Sequence, residues 1–169
     1  MSRCFISYSR RNTNFAERLA RDLNDAGVEV WIDFRQIHAG ERWKDEIRRG
    51  VERSEVIVIV LSPDSVVSEW VQFEINYGRE KNKVLLPIMV VDCYAELRAN
   101  ESLAWLLDVH FIKFEGRYEQ GFPGCSRRCR ASARSVCSTP STAARSPTRS
   151  RASKRFSRPM PRSSSAARG

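Results

Sequence analysis

The hydrophobic residues of the first 120 positions fall into short runs that alternate with amphipathic helical patterns. The run at residues 56–61 contains only Val, Ile and Leu, which is typical of a strand buried on both faces of a parallel sheet. Less uniform runs predict four further strands. The five predicted strands are residues 4–8, 28–32, 56–61, 84–91 and 109–114.

Helical patterns occupy the segments between these strands. Phe15, Leu19 and Leu23 recur at helical spacing and form one apolar stripe. Further helices are predicted to begin near Trp43, to run from about residue 63 to about residue 81, and to cover residues 102–107. Strands that alternate with helices favour an α/β fold with helices on both faces of the sheet. We predict a flavodoxin-like, five-stranded parallel sheet with strand order 2-1-3-4-5.

Charge is distributed unevenly along the chain. Residues 1–120 hold 17 basic and all 20 acidic residues, a net charge of −3, whereas residues 121–169 hold 12 basic residues and no acid. The second stretch is rich in Ser, Ala, Arg and Pro and offers too little apolar surface to offset the entropy of ordering. We therefore predict a folded domain at residues 1–122 and a basic, disordered tail at residues 123–169.

Several classes of protein are disfavoured by composition and motifs. No run approaches the ~20 apolar residues of a membrane span, and the start lacks the apolar region of a signal peptide. The odd number of cysteines, five, favours reduced thiols in the cytoplasm. We interpret the spacing of Cys125, Cys129 and Cys137 as chance composition, and assign no metal role to these residues or to His38 and His110. Glycine-rich dinucleotide and Walker motifs do not follow any predicted strand.

The carboxyl ends of parallel strands meet at one edge of the sheet, where ligands of open α/β folds bind. Arg10 and Arg11 follow the first strand and can hold a phosphate. Trp43 and Trp70 offer flat apolar surfaces for an aromatic ring. Glu74, four residues after Trp70, can offer negative charge to the oxocarbenium-like transition state of glycosidic cleavage. The set suits a nucleotide whose ribosyl bond is attacked.

Each of these residues also has a purely structural interpretation. The two arginines can be solvated surface charges, and the two tryptophans can pack against the sheet. Glu74 has no second carboxylate in its helical turn, so by default it is a solvated helix residue. The residue pattern by itself leaves both interpretations open.

Four motifs, in order and at the proper spacing, resemble those of Toll/interleukin-1 receptor (TIR) domains of the bacterial, NAD-cleaving kind. They correspond to the family's first strand, its second strand with the following BB loop and helix, its third strand with the catalytic helix, and its fourth strand. The resemblance covers residues 3–122. The matching residues are Phe5-Ile6-Ser7-Tyr8-Ser9; Val30-Trp31-Ile32-Asp33 with Gly40, Trp43 and Ile47; Leu61-Ser62-Pro63 with Ser68, Trp70 and Glu74; and Leu86-Pro87-Ile88.

The resemblance implies an enzyme that cleaves NAD+ to nicotinamide and ADP-ribose or a cyclic ADP-ribose product, with NAD+ as substrate and no further cofactor. It implies that Glu74 is the catalytic residue. It also implies substrate contacts at the end of the first strand, around the BB loop and on the catalytic helix. These substrate-binding residues are Ser9, Arg10, Asp33, Trp43 and Trp70.

The resemblance further implies self-association, in which the BB loop of one copy, residues 33–42, completes the pocket of the next. Such domains act in bacterial signalling or antiphage defence. The alternative is a non-catalytic TIR adaptor that binds like domains through this loop. A response-regulator receiver shares the topology but needs paired acids near the end of the first strand, where this chain has Ser7-Tyr8-Ser9. The basic tail can bind nucleic acid nonspecifically.

The end of the domain departs from the family pattern. Residues 117–122 resemble the start of the family's last helix, and the acidic residues then disappear. We hypothesise that the tail is an out-of-frame readout or the product of a truncated gene. On that hypothesis the last helix is missing and one side of the sheet lacks cover, which lowers stability.

Overall fold

The computed structural model describes residues 2–32 and 43–136, and the side chains of residues 2–32 and 45–132 among them. All of these residues belong to one compact unit, Met1–Thr139. The strands are β1 Ser2–Ser7, β2 Val28–Ile32, β3 Val56–Leu61, β4 Val84–Met89 and β5 Ile112–Lys113. The helices are α1 Thr13–Asp25, α2 Trp43–Arg53, α3 Pro63–Val66, α4 Glu69–Glu80, α5 Tyr94–Ala99 and α6 Tyr118–Val136, with 3-10 helices at Arg10–Asn12 and Ala104–Asp108.

The five strands form one parallel sheet with the order β2-β1-β3-β4-β5. The central strand, β3, is buried along its whole length and pairs with β1 on one side and β4 on the other. This confirms the predicted five-stranded α/β fold with strand order 2-1-3-4-5. The strand order reverses between β1 and β3, and the crevice at such a point is where open α/β sheets bind ligands.

Side chains along each strand alternate between two apolar cores, one on each face of the sheet. Ile6 and Val58 belong to the core that α1 and α6 cover, which we call the α1–α6 face. Phe5 and Ile57 belong to the core that α2, α4 and α5 cover, which we call the α2–α4 face. Ser7 follows Phe5 by two residues, so its side chain lies on the α2–α4 face.

Element boundaries differ from the predicted ones mainly near one edge of the sheet. The strand predicted at residues 109–114 is reduced to the two residues of β5, which pair with Ile88 and Met89 of β4. The short helix predicted at residues 102–107 is a 3-10 helix. Pro87 pairs with Ile59 of β3 and precedes the residues that pair with β5. Because β5 does not reach Pro87, the strand accommodates a residue without an N–H donor.

The last helix, α6, lies against β1, β4 and β5. Cys125 and Cys129 are one helical turn apart and fully buried in the core of the α1–α6 face. The thiols of Cys129 and Cys4 are hydrogen-bonded, and Ser2 Oγ donates to the Cys129 carbonyl oxygen. The hydrogen bond with Cys129, together with burial, raises the pKa of the Cys4 thiol well above its usual range, so this thiol stays protonated.

One prediction about the end of the domain is therefore wrong. Residues 123–136 belong to α6 instead of a disordered tail, so the last helix is present. Cys125 and Cys129, to which no metal role was assigned, are residues of the core. Composition misled because a helix needs only one apolar stripe to dock, and Phe122, Cys125 and Cys129 supply it between exposed arginines. Residues 137–169 and the predicted loop at residues 33–42 lie outside the described residues, and the out-of-frame origin stays a hypothesis.

The packing of α6 gives a first testable prediction. A Cβ atom at Gly121 would lie 2.6 Å from the ring of Phe114, which is held by edge contacts with Phe15 and Tyr118. We expect Gly121→Ala to lower the free energy of unfolding by about 1–3 kcal/mol, because the core becomes overpacked. Gly124→Ala is the matched control, since a Cβ there would meet its nearest atom at 3.7 Å. Urea denaturation measures both, and equal effects would contradict the docking of α6.

Candidate functional site

One helix of the α2–α4 face carries a carboxylate on its buried side. The buried residues of α4 are spaced three and four positions apart, and they are Val71, Glu74, Ile75 and Gly78. Glu74 is only 1% exposed. A buried carboxylate costs free energy unless hydrogen bonds compensate for the lost water. The interpretation of Glu74 as a solvated helix residue is therefore wrong.

A hydroxyl group from β1 binds this carboxylate. Ser7 Oγ donates to Oε2 of Glu74 at 2.6 Å, and Ser7 is 0% exposed. Hydrogen bonds from a hydroxyl to a carboxylate are short and stronger than those between neutral groups. Ser7 is the last residue of β1. The bond therefore places the carboxylate beside the carboxyl end of β1, next to the point where the strand order reverses.

Three of the predicted substrate-binding residues are described. Ser9 is buried, and its carbonyl oxygen accepts a hydrogen bond from the N–H of Asn12 at 2.7 Å. Arg10 is exposed and opens the first 3-10 helix. Trp70 is half-buried and packs against the core of the α2–α4 face, as its structural interpretation predicts. Ser9 and Arg10 thus follow the strand end that holds Ser7, and Trp70 lies on the helix that holds Glu74.

The other two predicted contacts stay predictions. Asp33 lies outside the described residues. Trp43 is the first residue of α2, but its side chain is not among those described.

Polar contacts join the loops that follow β1 and β3, as expected for parallel strands that end at one edge. Ser62 Oγ donates to Oδ1 of Asn12 at 2.7 Å. Ser62 also caps α3 by accepting a hydrogen bond from the N–H of Ser65. Arg11 forms an ion pair with Asp64 at 3.3 Å, and both side chains are well exposed. Because Arg11 is engaged in this way, Arg10 is the better candidate of the two arginines for a phosphate.

Ser7 is the residue of this site that the sequence did not single out. Its position in β1 contains a usable signal, because it shares a face with Phe5 and is paired in register with Ile59. A hydroxyl among apolar side chains needs a hydrogen-bond partner. The strand pattern therefore indicates that Ser7 has a partner, although it cannot say which helix provides it.

One cavity lies at the opposite edge of the sheet. It has a volume of about 600 Å³ and is lined by the amino ends of β3 and β4 and by part of α6, with neither Ser7 nor Glu74 among its residues. Within residues 2–32 and 43–136, no three His, Cys, Asp or Glu side chains form a group that can hold a metal ion. None of the helices in this part of the chain combines the length and apolar character needed to cross a bilayer.

Comparison with known protein families identifies the domain. A family model described as TIR domain matches residues 4–124, which is more than half of the chain. The chain belongs to the TIR domain family. The match includes both Ser7 and Glu74 and ends inside α6.

Two relatives of this TIR domain have names that describe enzymes. It is 34% identical over 89 residues to the 2' cyclic ADP-D-ribose synthase AbTIR of Acinetobacter baumannii, a match that covers 50% of this chain and 33% of the relative. It is 28% identical over 90 residues to the NAD(+) hydrolase TcpC of Escherichia coli, with coverage of 50% and 29%. The matched part thus spans about a third of the length of each relative.

A solved TIR domain shows the same fold. The TIR domain of the Toll-related receptor TRR-2 from Hydra magnipapillata superimposes with a TM-score of 0.62 at 18% identity, covering 75% of this chain and 97% of that one. At this level of identity the likeness concerns the fold alone.

Proposed function

We propose that this TIR domain cleaves NAD+ at the bond between nicotinamide and ribose. The observation that supports this most is Glu74, a buried carboxylate held at the ligand-binding edge of the sheet by Ser7. The relatives of this TIR domain include proteins named as an NAD(+) hydrolase and as a cyclic ADP-ribose synthase. Both names fit chemistry at a ribosyl carbon, where a carboxylate stabilises developing positive charge.

The reaction needs few groups from the protein. The C1'–N bond breaks, and its electron pair stays on the nicotinamide nitrogen, which was positively charged and becomes neutral. Positive charge therefore builds on the ribose, where the carboxylate of Glu74 opposes it. Water then bonds to C1' and gives ADP-ribose, or a hydroxyl of the same molecule bonds to C1' and gives a cyclic product, and in either case the attacking oxygen releases a proton. Which of the two dominates depends on how well the pocket excludes water.

The remaining substrate contacts follow the same proposal. Arg10 binds a phosphate of NAD+ through charge-assisted hydrogen bonds, and Ser9 adds a polar contact at the end of β1. Asp33, Trp43 and Trp70 complete the pocket around the BB loop and α4. Self-association through residues 33–42 then supplies the part of the pocket that comes from the next copy.

The burial of Glu74 has a consequence for activity. A carboxylate that is 1% exposed meets a substrate only after neighbouring groups move. If assembly of the domains drives that movement, the rate per protein molecule rises with protein concentration. We expect nicotinamide release from the full chain to increase more steeply than linearly between dilute and concentrated protein, measured by chromatography of the reaction mixture. A strictly linear increase would contradict activation by self-association.

The same burial favours a second candidate function, a non-catalytic TIR adaptor. A glutamate that is closed off from solvent and bound to a strand can simply join α4 to the sheet. Product analysis separates the two functions: NAD+ is incubated with concentrated full-length protein, and nicotinamide, ADP-ribose and cyclic products are quantified. Turnover of many NAD+ molecules per protein molecule supports the enzymatic function. An unchanged amount of NAD+ at every protein concentration supports the adaptor function.

A further inference from the structure

The hydroxyl of Ser7 occupies an unusual place in the sheet. Ser7 ends β1 on an apolar face, is paired in register with the fully buried Ile59, and is itself 0% exposed. Burying a hydroxyl without a hydrogen bond costs free energy. The hydroxyl of Ser7 donates to Glu74, which is 67 residues away in the sequence and belongs to a different element. If Ser7 only filled space in the core, alanine could replace it at no cost. Alanine would, however, lose the hydrogen bond to Glu74.

A second buried serine shows what a locally satisfied hydroxyl looks like in this molecule. Ser54 is 2% exposed, and its Oγ donates to the carbonyl oxygen of Gly50, four residues earlier. Such a bond stays within one stretch of chain and is common for serines in and after helices. The hydrogen bond of Ser7 instead joins a strand to a helix, and its acceptor is a carboxylate. The two serines are both almost fully buried and each donates one hydrogen bond, so they form a matched pair.

We propose that Ser7 is a positioning residue for Glu74, which rests on the proposed cleavage of NAD+. The short bond to Oε2 restricts the rotation of the carboxylate about its last side-chain torsion. Ser7 itself does not touch the substrate. Its effect passes through the orientation of Glu74.

Kinetics of Ser7→Ala test this role. We expect kcat for nicotinamide release to fall roughly 10- to 100-fold, the size of effect that a misplaced catalytic group produces, while KM changes by less than about 3-fold. Ser7→Cys keeps the size and a weak donor, and we expect it to restore part of kcat. Ser54→Ala removes a buried hydroxyl of the same kind and leaves both constants unchanged. A Ser7→Ala enzyme with the wild-type kcat, or with only KM altered, overturns the proposal.

A stability measurement separates this proposal from the proposed function. Urea midpoints are determined for Ser7→Ala, Glu74→Ala and the double variant, because alanine at either position removes the hydrogen bond. If the bond is formed in solution, the midpoint shift of the double variant differs from the sum of the single shifts, because the two residues are in contact. Coupled midpoints with an inactive wild-type protein overturn the proposed function and the positioning role with it. Additive midpoints overturn the contact itself, and an active wild type with unaffected Ser7→Ala overturns the positioning role alone.

Discussion

Glu74→Gln is expected to lower the rate of NAD+ cleavage by about 100-fold or more, the range seen when one preorganised electrostatic group is removed from an active site. Glutamine has the same shape as glutamate but no charge, so it cannot oppose positive charge on the ribose. Its amide oxygen can still accept the hydrogen bond from Ser7, so the fold and the position of α4 are retained. Nicotinamide release from concentrated full-length protein measures the effect.

The matched control is Glu69→Gln, the same substitution at the first residue of the same helix, where the side chain is exposed. We expect this variant to retain the wild-type rate. Urea denaturation of both variants excludes unfolding as the cause of lost activity. A Glu74→Gln protein that keeps more than a tenth of the wild-type rate, beside an unaffected control, would show that another group carries the reaction.

The second large effect concerns the core behind α6. Cys129 is 0% exposed and touches Cys4 of β1 in the core of the α1–α6 face. Cys129→Glu places a carboxylate there without a cationic partner, and an uncompensated buried charge costs about 3–5 kcal/mol. Because a domain of this kind is stable by about 5–15 kcal/mol in total, we expect loss of a large part of the folding free energy, with a much lower urea midpoint.

Arg130→Glu is the control for this variant, since Arg130 is the next residue of the same helix and is exposed. A surface substitution of this kind usually changes the free energy of unfolding by no more than about 0.5 kcal/mol. The comparison tests whether residues 123–136 are part of the fold. Similar midpoints for Cys129→Glu and Arg130→Glu would mean that this part of α6 is not docked on the sheet.

Local sequence patterns were sufficient to predict the sheet and to place Glu74 on a helix that follows β3. The uniform β-branched run of β3 predicts a strand buried on both faces, and its alternation with helices predicts a parallel sheet. Connection handedness and the short lengths of the segments then limit the possible strand orders. The placement of Glu74 on the helix region beyond β3 follows from the same pattern, because it depends only on neighbours in sequence.

The end of the domain shows where local patterns were insufficient. An average over residues 121–169 gives a basic, acid-free stretch that looks unable to fold. The first part of that stretch needs only a narrow stripe, in which Cys125 and Cys129 meet β1 and β4. Whether such a stripe suffices depends on the surface that receives it, and most of that surface comes from β1 and β4, which are more than 30 residues away in the sequence.

The sequence by itself predicted the α/β architecture from periodicity and a strand order that five such strands fit, and the spacing of motifs that resemble those of TIR domains singled out the candidate glutamate. Only the tertiary structure decided that Glu74 is buried, that Ser7 binds it and that α6 continues to Val136. The physical reason is that burial and side-chain hydrogen bonds are properties of two surfaces in contact. A single stretch of sequence describes one of those surfaces, and the fold supplies the other.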